Sequence, residues 1–256
     1  MKKGVKTLLI VIGIVVAITV GTLVIVIGGI VVHDLKQESL LEKEIVNLTN
    51  RNILTDEYSI EVKTTGDYAY VESAIKKYYK ELSDNAKVIN DYFSDEELVS
   101  ILSYDNLNND RPDFNKSYKL LDDANTKIIE ALDNISNLCS EDYIKNLIDR
   151  DKIDDYYYDL YRELMYTEKD LEEFANVKAD MENLSDNLNE FMDKVREIFD
   201  LLKENDSHWK IVDNQLYFDE DRLVDEYNTL YYELSDIADR FEDTEKNVTS
   251  DIGSSV

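Results

Sequence analysis

The chain is poor in the residues that break, staple or catalyse. Beyond residue 29 it has one proline, Pro112, and two glycines, Gly66 and Gly253. So little punctuation over such a length predicts long helices and few tight turns. The single cysteine, Cys139, excludes an intramolecular disulfide, and its place on an apolar stripe predicts a buried small hydrophobe rather than a reactive thiol. There are two histidines, His33 and His208, and neither sits in an H-x-x-x-H spacing. No Gly-rich phosphate loop, G-x-S-x-G or C-x-x-C occurs. Nucleophile–base pairs need a titrating partner, usually histidine, so no catalytic residue and no cofactor are assigned and a non-enzymatic protein is expected.

Positive charge is scarce as well. Three of the 28 basic residues precede residue 7, which leaves 25 against 56 acidic ones over the rest of the chain. Such a surface repels phosphates and anionic headgroups, which argues against a nucleic acid partner, and attracts cations or basic protein surfaces.

What the chain does have is one long apolar run. Residues 7–32, TLLIVIGIVVAITVGTLVIVIGGIVV, are 26 residues without a charge. As a helix they reach roughly 39 Å, more than the ~30 Å hydrocarbon core of a bilayer. The run is too long for a cleaved signal peptide, lacks a following small-residue cleavage site, and predicts a single-pass signal anchor. Lys2, Lys3 and Lys6 form a basic cytoplasmic N-terminus over 1–6, which places the large domain outside the cell membrane. Gly13, Ala17 and Gly21 recur every four residues, a small-residue stripe on which two membrane helices can pack as a homodimer.

After the anchor, residues 33–66 are expected to form a stalk and linker. Tyr58, Ile60 and Val62 alternate with polar neighbours and predict a short strand over 58–63. Residues 67–243 read as one acidic helical domain. Val71, Ile75, Tyr78, Leu82, Ile89 and Phe93 share a helix face, and Ser94 to Glu97 resemble a capping box. Residues 104–113, rich in turn formers, read as a loop, and Ser140 as a helix cap. Apolar positions from Ile153 to Leu202 extend about 50 residues, with a polar interruption at 167–170 that leaves one helix or two open. HWKIVDNQLYF (208–218) alternates about Asp213-Asn214 and predicts a β-hairpin, with 58–63 as its candidate third strand. A last helix carries Leu223 to Phe241, and 244–256 reads as a flexible tail. The fold expected is mainly α: a membrane helix followed by an elongated antiparallel bundle with coiled-coil-like packing and one small hairpin.

Two surface features stand out. Asp151, Asp155, Asp159 and Glu163, four apart, would stack carboxylates on one helix face, a weak candidate for a divalent metal such as Ca²⁺ or Mg²⁺. Tyr156, Tyr157, Tyr158, Tyr161 and Tyr166 cannot all face one core, so some are expected at the surface as interface residues.

GDYAYVESAIKKYYKEL (66–82) and HWKIVDNQLYF (208–218), together with the basic N-terminus, the anchor and the Lys/Asn/Tyr-rich acidic helices, resemble membrane-anchored proteins of low-GC Gram-positive bacteria. The resemblance implies no activity and brings no site residue. The function expected is a membrane-anchored, extracytoplasmic interaction or envelope module. The alternative is a ligand- or divalent-cation-sensing accessory domain.

Overall fold

The computed structural model describes Gly13 and residues 36–166 and 168–254. The protein is mainly helical, a helical bundle with one small antiparallel hairpin. The described helices are α1 (Lys36–Thr49), α2 (Asp67–Ser94), α3 (Glu96–Val99), α4 (Tyr104–Asp110), α5 (Asn115–Leu138), α6 (Glu141–Asn146), α7 (Asp155–Met165), α8 (Glu168–Glu204) and α9 (Asp221–Ser254). The hairpin strands are β1 (Trp209–Val212) and β2 (Gln215–Phe218). Among the described residues no helix is long and apolar enough to cross a membrane. Apart from Gly13, the expected anchor 7–32, including Ala17 and Gly21, lies outside them.

The chain forms two compact units, one built from 36–88 and 131–182, the other from 89–130 and 183–254 together with Gly13. Each of α2, α5 and α8 gives one stretch to each unit.

In the 36–88/131–182 unit the expected stalk is folded structure. Helix α1 buries Leu41, Ile45 and Leu48. Residues 58–63 form no strand, because backbone groups in and beside them are taken by side chains rather than by a partner strand. The backbone N–H groups of Lys63 and Thr64 donate to the Glu72 carboxylate at 2.9 and 2.7 Å, and Lys76 Nζ donates to the Glu61 carbonyl at 2.6 Å. Ser83 Oγ ties down the Ile53 carbonyl at 2.8 Å. Tyr58 then stacks on Tyr79 with ring centroids 6.1 Å apart. Lys76, 3% exposed, is held between Glu72 at 2.6 Å and Glu44 at 2.7 Å. Burial works against the Glu72 charge, but Lys76 and the Thr64 and Lys63 donors outweigh it and hold the carboxyl below its ordinary value. Ser140 caps α6 as expected, its Oγ accepting from the Tyr143 N–H. The 151–204 pattern is two helices: Tyr166 is extended (φ −165°, ψ 133°) and separates α7 from α8.

In the 89–130/183–254 unit the core is aromatic. Phe114 lies 5.1 Å from Phe199 and 6.3 Å from Trp209. Trp209 Nε1 donates to the Leu202 carbonyl at 2.7 Å, so the buried indole N–H has a partner. Phe114 has φ 52°, a strained value for a bulky side chain, held by complete burial of its ring. The cap of α3 is Asp95, whose carboxylate accepts from Glu97 and Leu98, and Ser94 ends α2 instead. Residues 104–110, expected as loop, are helical because Ser103 Oγ caps them through the Asn106 N–H and Leu107 is fully buried. The hairpin is as expected: Asp213 (φ 50°) and Asn214 (φ 57°) both lie in the left-handed region of a type I′ turn, with Trp209 opposite Phe218 and Ile211 opposite Leu216. It has no third strand among the described residues; Phe218 packs on Tyr227 of α9 at 5.5 Å instead. Helix α9 continues to Ser254, through the stretch expected to be a tail.

Candidate functional site

An open concave surface lies between α8 and α9. The apolar stripe of α8 turns Val195, Ile198, Phe199 and Leu202 inward, and that of α9 turns Leu223, Tyr227 and Leu234 inward. The adjoining rows face each other across an open groove of about 560 Å³, lined by Lys194, Glu197, Asp200, Leu201, Glu204, Asp225, Glu226, Thr229, Leu230 and Glu233. Leu201 and Leu230 are half-buried. Six carboxylates therefore face one ammonium. Lys194 bridges the helices, 2.8 Å from Glu197 and 3.0 Å from Glu233, and both carboxylates hold it above its ordinary pKa. Arg222 pairs with Glu226 at 2.8 Å. The Tyr118 hydroxyl donates to Asp200; burial, and then this carboxylate, raise its pKa. Among the described residues no cation pairs with Glu204 or Asp225.

The mouth of the hairpin carries a second cluster. His208 Nδ1 stands 3.0 Å from Asp219 and 3.5 Å from Glu220, and the donor atoms of all three lie within 4.8 Å of one another. The Asp219 N–H donates to the His208 carbonyl at 3.0 Å, which holds the two sides together. Beside it, Arg111 stacks over Trp209 at 4.1 Å and reaches Asp206 at 2.8 Å.

The residues singled out from sequence are not assembled into a site. Asp151 lies in a 3₁₀ turn (Arg150–Lys152) ahead of α7, so it does not continue the row of Asp155, Asp159 and Glu163. All four are exposed, with Asp155 paired to Arg150 and Asp159 to Arg162. Of the five tyrosines, Tyr161 and Tyr166 are buried, Tyr157 and Tyr158 half-buried, and Tyr156 alone is open, its hydroxyl donating to Glu38. Gly13 is helical, and a Cβ placed there would stand 3.3 Å from the Phe93 Cβ. Cys139 is buried, and burial pushes its thiol up to about 12.

The groove was not found by sequence reading because its walls come from helices separated by the hairpin. The spacing of Glu197, Asp200 and Glu204, three and four apart, marks one acidic helix face but carries no sign of the facing wall. No protein family, curated protein or solved structure matches the chain.

Proposed function

We propose that the protein is a membrane-anchored, non-enzymatic interaction module whose helical bundle is displayed on the outer face of the cell membrane. The observation that carries the interaction role is the acidic groove, a concave surface lined by Leu201, Leu230 and six carboxylates. The anchor rests on the uncharged run 7–32 and the lysines before it. Insertion of that run requires Gly13 to leave Phe93.

A labelling experiment tests the display. Single cysteines at Ser59 and Ser235, both exposed, place one reporter in each unit. Cys139, 3% exposed with a raised thiol pKa, contributes little background. Labelling of intact cells by an impermeant thiol reagent is the expected result; labelling only after lysis overturns the display.

A cation-sensing role is the second reading. It rests on His208, Asp219 and Glu220 rather than on the 151–163 acids, since their donor atoms converge. It requires Zn²⁺ at micromolar or Ca²⁺ at millimolar level to raise the thermal midpoint of the wild type but not of His208→Ala. Equal midpoints with and without metal exclude it.

A further inference from the structure

We propose that the α8–α9 groove receives a Lys/Arg-rich amphipathic helix of a partner protein. This rests on the reading of the chain as an interaction module and names the chemistry of its partner. The groove is more than a group of acids. It is concave, and its half-buried Leu201 and Leu230 offer apolar surface that water covers poorly. A guest helix laid along these leucines would present apolar residues at i, i+3 or i+4, and i+7. Its flanks would then meet the carboxylate walls, and there only cationic side chains are complementary. Lys194 already occupies Glu197 and Glu233, while Arg222 and Tyr118 engage Glu226 and Asp200. Glu204 on one wall and Asp225 on the other are the carboxylates left to receive the guest's cations. Arginine suits them best, because its planar fork can meet a carboxylate with two hydrogen bonds. A space of about 560 Å³ admits a row of side chains, not a folded domain. Anionic lipid and nucleic acid are repelled by the same walls.

The test uses the full chain in zwitterionic nanodiscs, with empty nanodiscs as the blank. Its probe is a synthetic helical peptide with a leucine stripe flanked by lysine and arginine. One control scrambles the sequence so that the leucines no longer share a face; a second keeps the stripe and replaces every cation with glutamine. Binding of the striped basic peptide at least tenfold tighter than either control, weakening as salt is raised, is expected. The double variant Glu204→Gln/Asp225→Asn should weaken it at least tenfold at an unchanged thermal midpoint. Leu230→Lys should do the same by setting a cation against the guest's cations. Equal binding of the scrambled peptide, no binding at all, or binding that both variants leave untouched would overturn the proposal. If the peptide fails while thiol labelling places Ser235→Cys outside, the partner chemistry is wrong and the displayed module stands. If labelling occurs only after lysis, the display fails whatever the peptide does.

Discussion

The two units solve the same packing problem with different chemistry. The 36–88/131–182 unit buries Glu38, Thr64, Glu72, Lys76, Ser83 and Ser136, whereas Ser117 is the one polar residue buried among the described residues of the other. The first uses two of those groups, Glu72 and Lys76, to fix the irregular stretch 58–64 that no strand pairing holds. The second fills its centre with Phe114, Phe199 and Trp209 and keeps its carboxylates at the surface, where they are free to line a groove. Losing one partner of a buried ion pair strands the other's charge, whereas trimming a buried aromatic leaves a cavity whose cost follows the volume removed.

The sharpest break of this comparison is Lys76→Met. It leaves Glu72 and Glu44 without their cation and should cost about 4 kcal/mol in denaturant unfolding. Adding Glu72→Gln and Glu44→Gln should recover much of that loss. The same network sets acid sensitivity. A carboxyl whose folded pKa is lowered contributes stability that is complete above its unfolded value and lost as pH falls through the folded one. Wild-type stability should therefore drop below about pH 4.5, and the triple variant should show a flatter profile over that window.

On the aromatic side, Trp209→Phe keeps most of the ring stack but orphans the buried Leu202 carbonyl, and should cost ~2 kcal/mol. A loss as large as that of Lys76→Met would erase the distinction between the units. Gly13→Leu sharpens it further. With Gly13 against Phe93, the added side chain overpacks and lowers stability by ~1–3 kcal/mol; with the run in a bilayer, the midpoint is unchanged. The display proposed above expects the second result in nanodiscs. The smallest effect is Asn214→Ala, which forces a β-carbon residue without a local hydrogen-bonding group to φ 57° and should cost about 1 kcal/mol by chemical denaturation.

Sequence reading succeeded where a local rule and the tertiary context agreed. The Asp213-Asn214 turn dictates its own dihedrals, and the alternation on either side puts Trp209, Ile211, Leu216 and Phe218 on one face, so the hairpin was legible. Period-two alternation over 58–63 misled because a strand needs a partner, and here the Glu72 and Lys76 side chains supply the hydrogen bonds instead. Asn- and Asp-rich residues 104–110 looked like a turn because their propensity outweighed a single apolar anchor, Leu107, whose burial decides the matter. The 151–163 acids looked contiguous because the spacing assumed one helix; the Asp154 start of α7 breaks the row. The groove could not be read locally at all, since its two walls meet only after the chain has turned through the hairpin.

One consequence follows from where the boundaries between units fall. They lie at 88/89, 130/131 and 182/183, within α2, α5 and α8. The backbone is helical at each of these points and offers a protease no loop to cleave, and neither unit can be excised as one continuous gene fragment. Melting one unit frays three helices that begin or end in the other. The expected signature is cooperative: a single calorimetric transition whose van't Hoff and measured enthalpies agree, although the two cores are built from different chemistry.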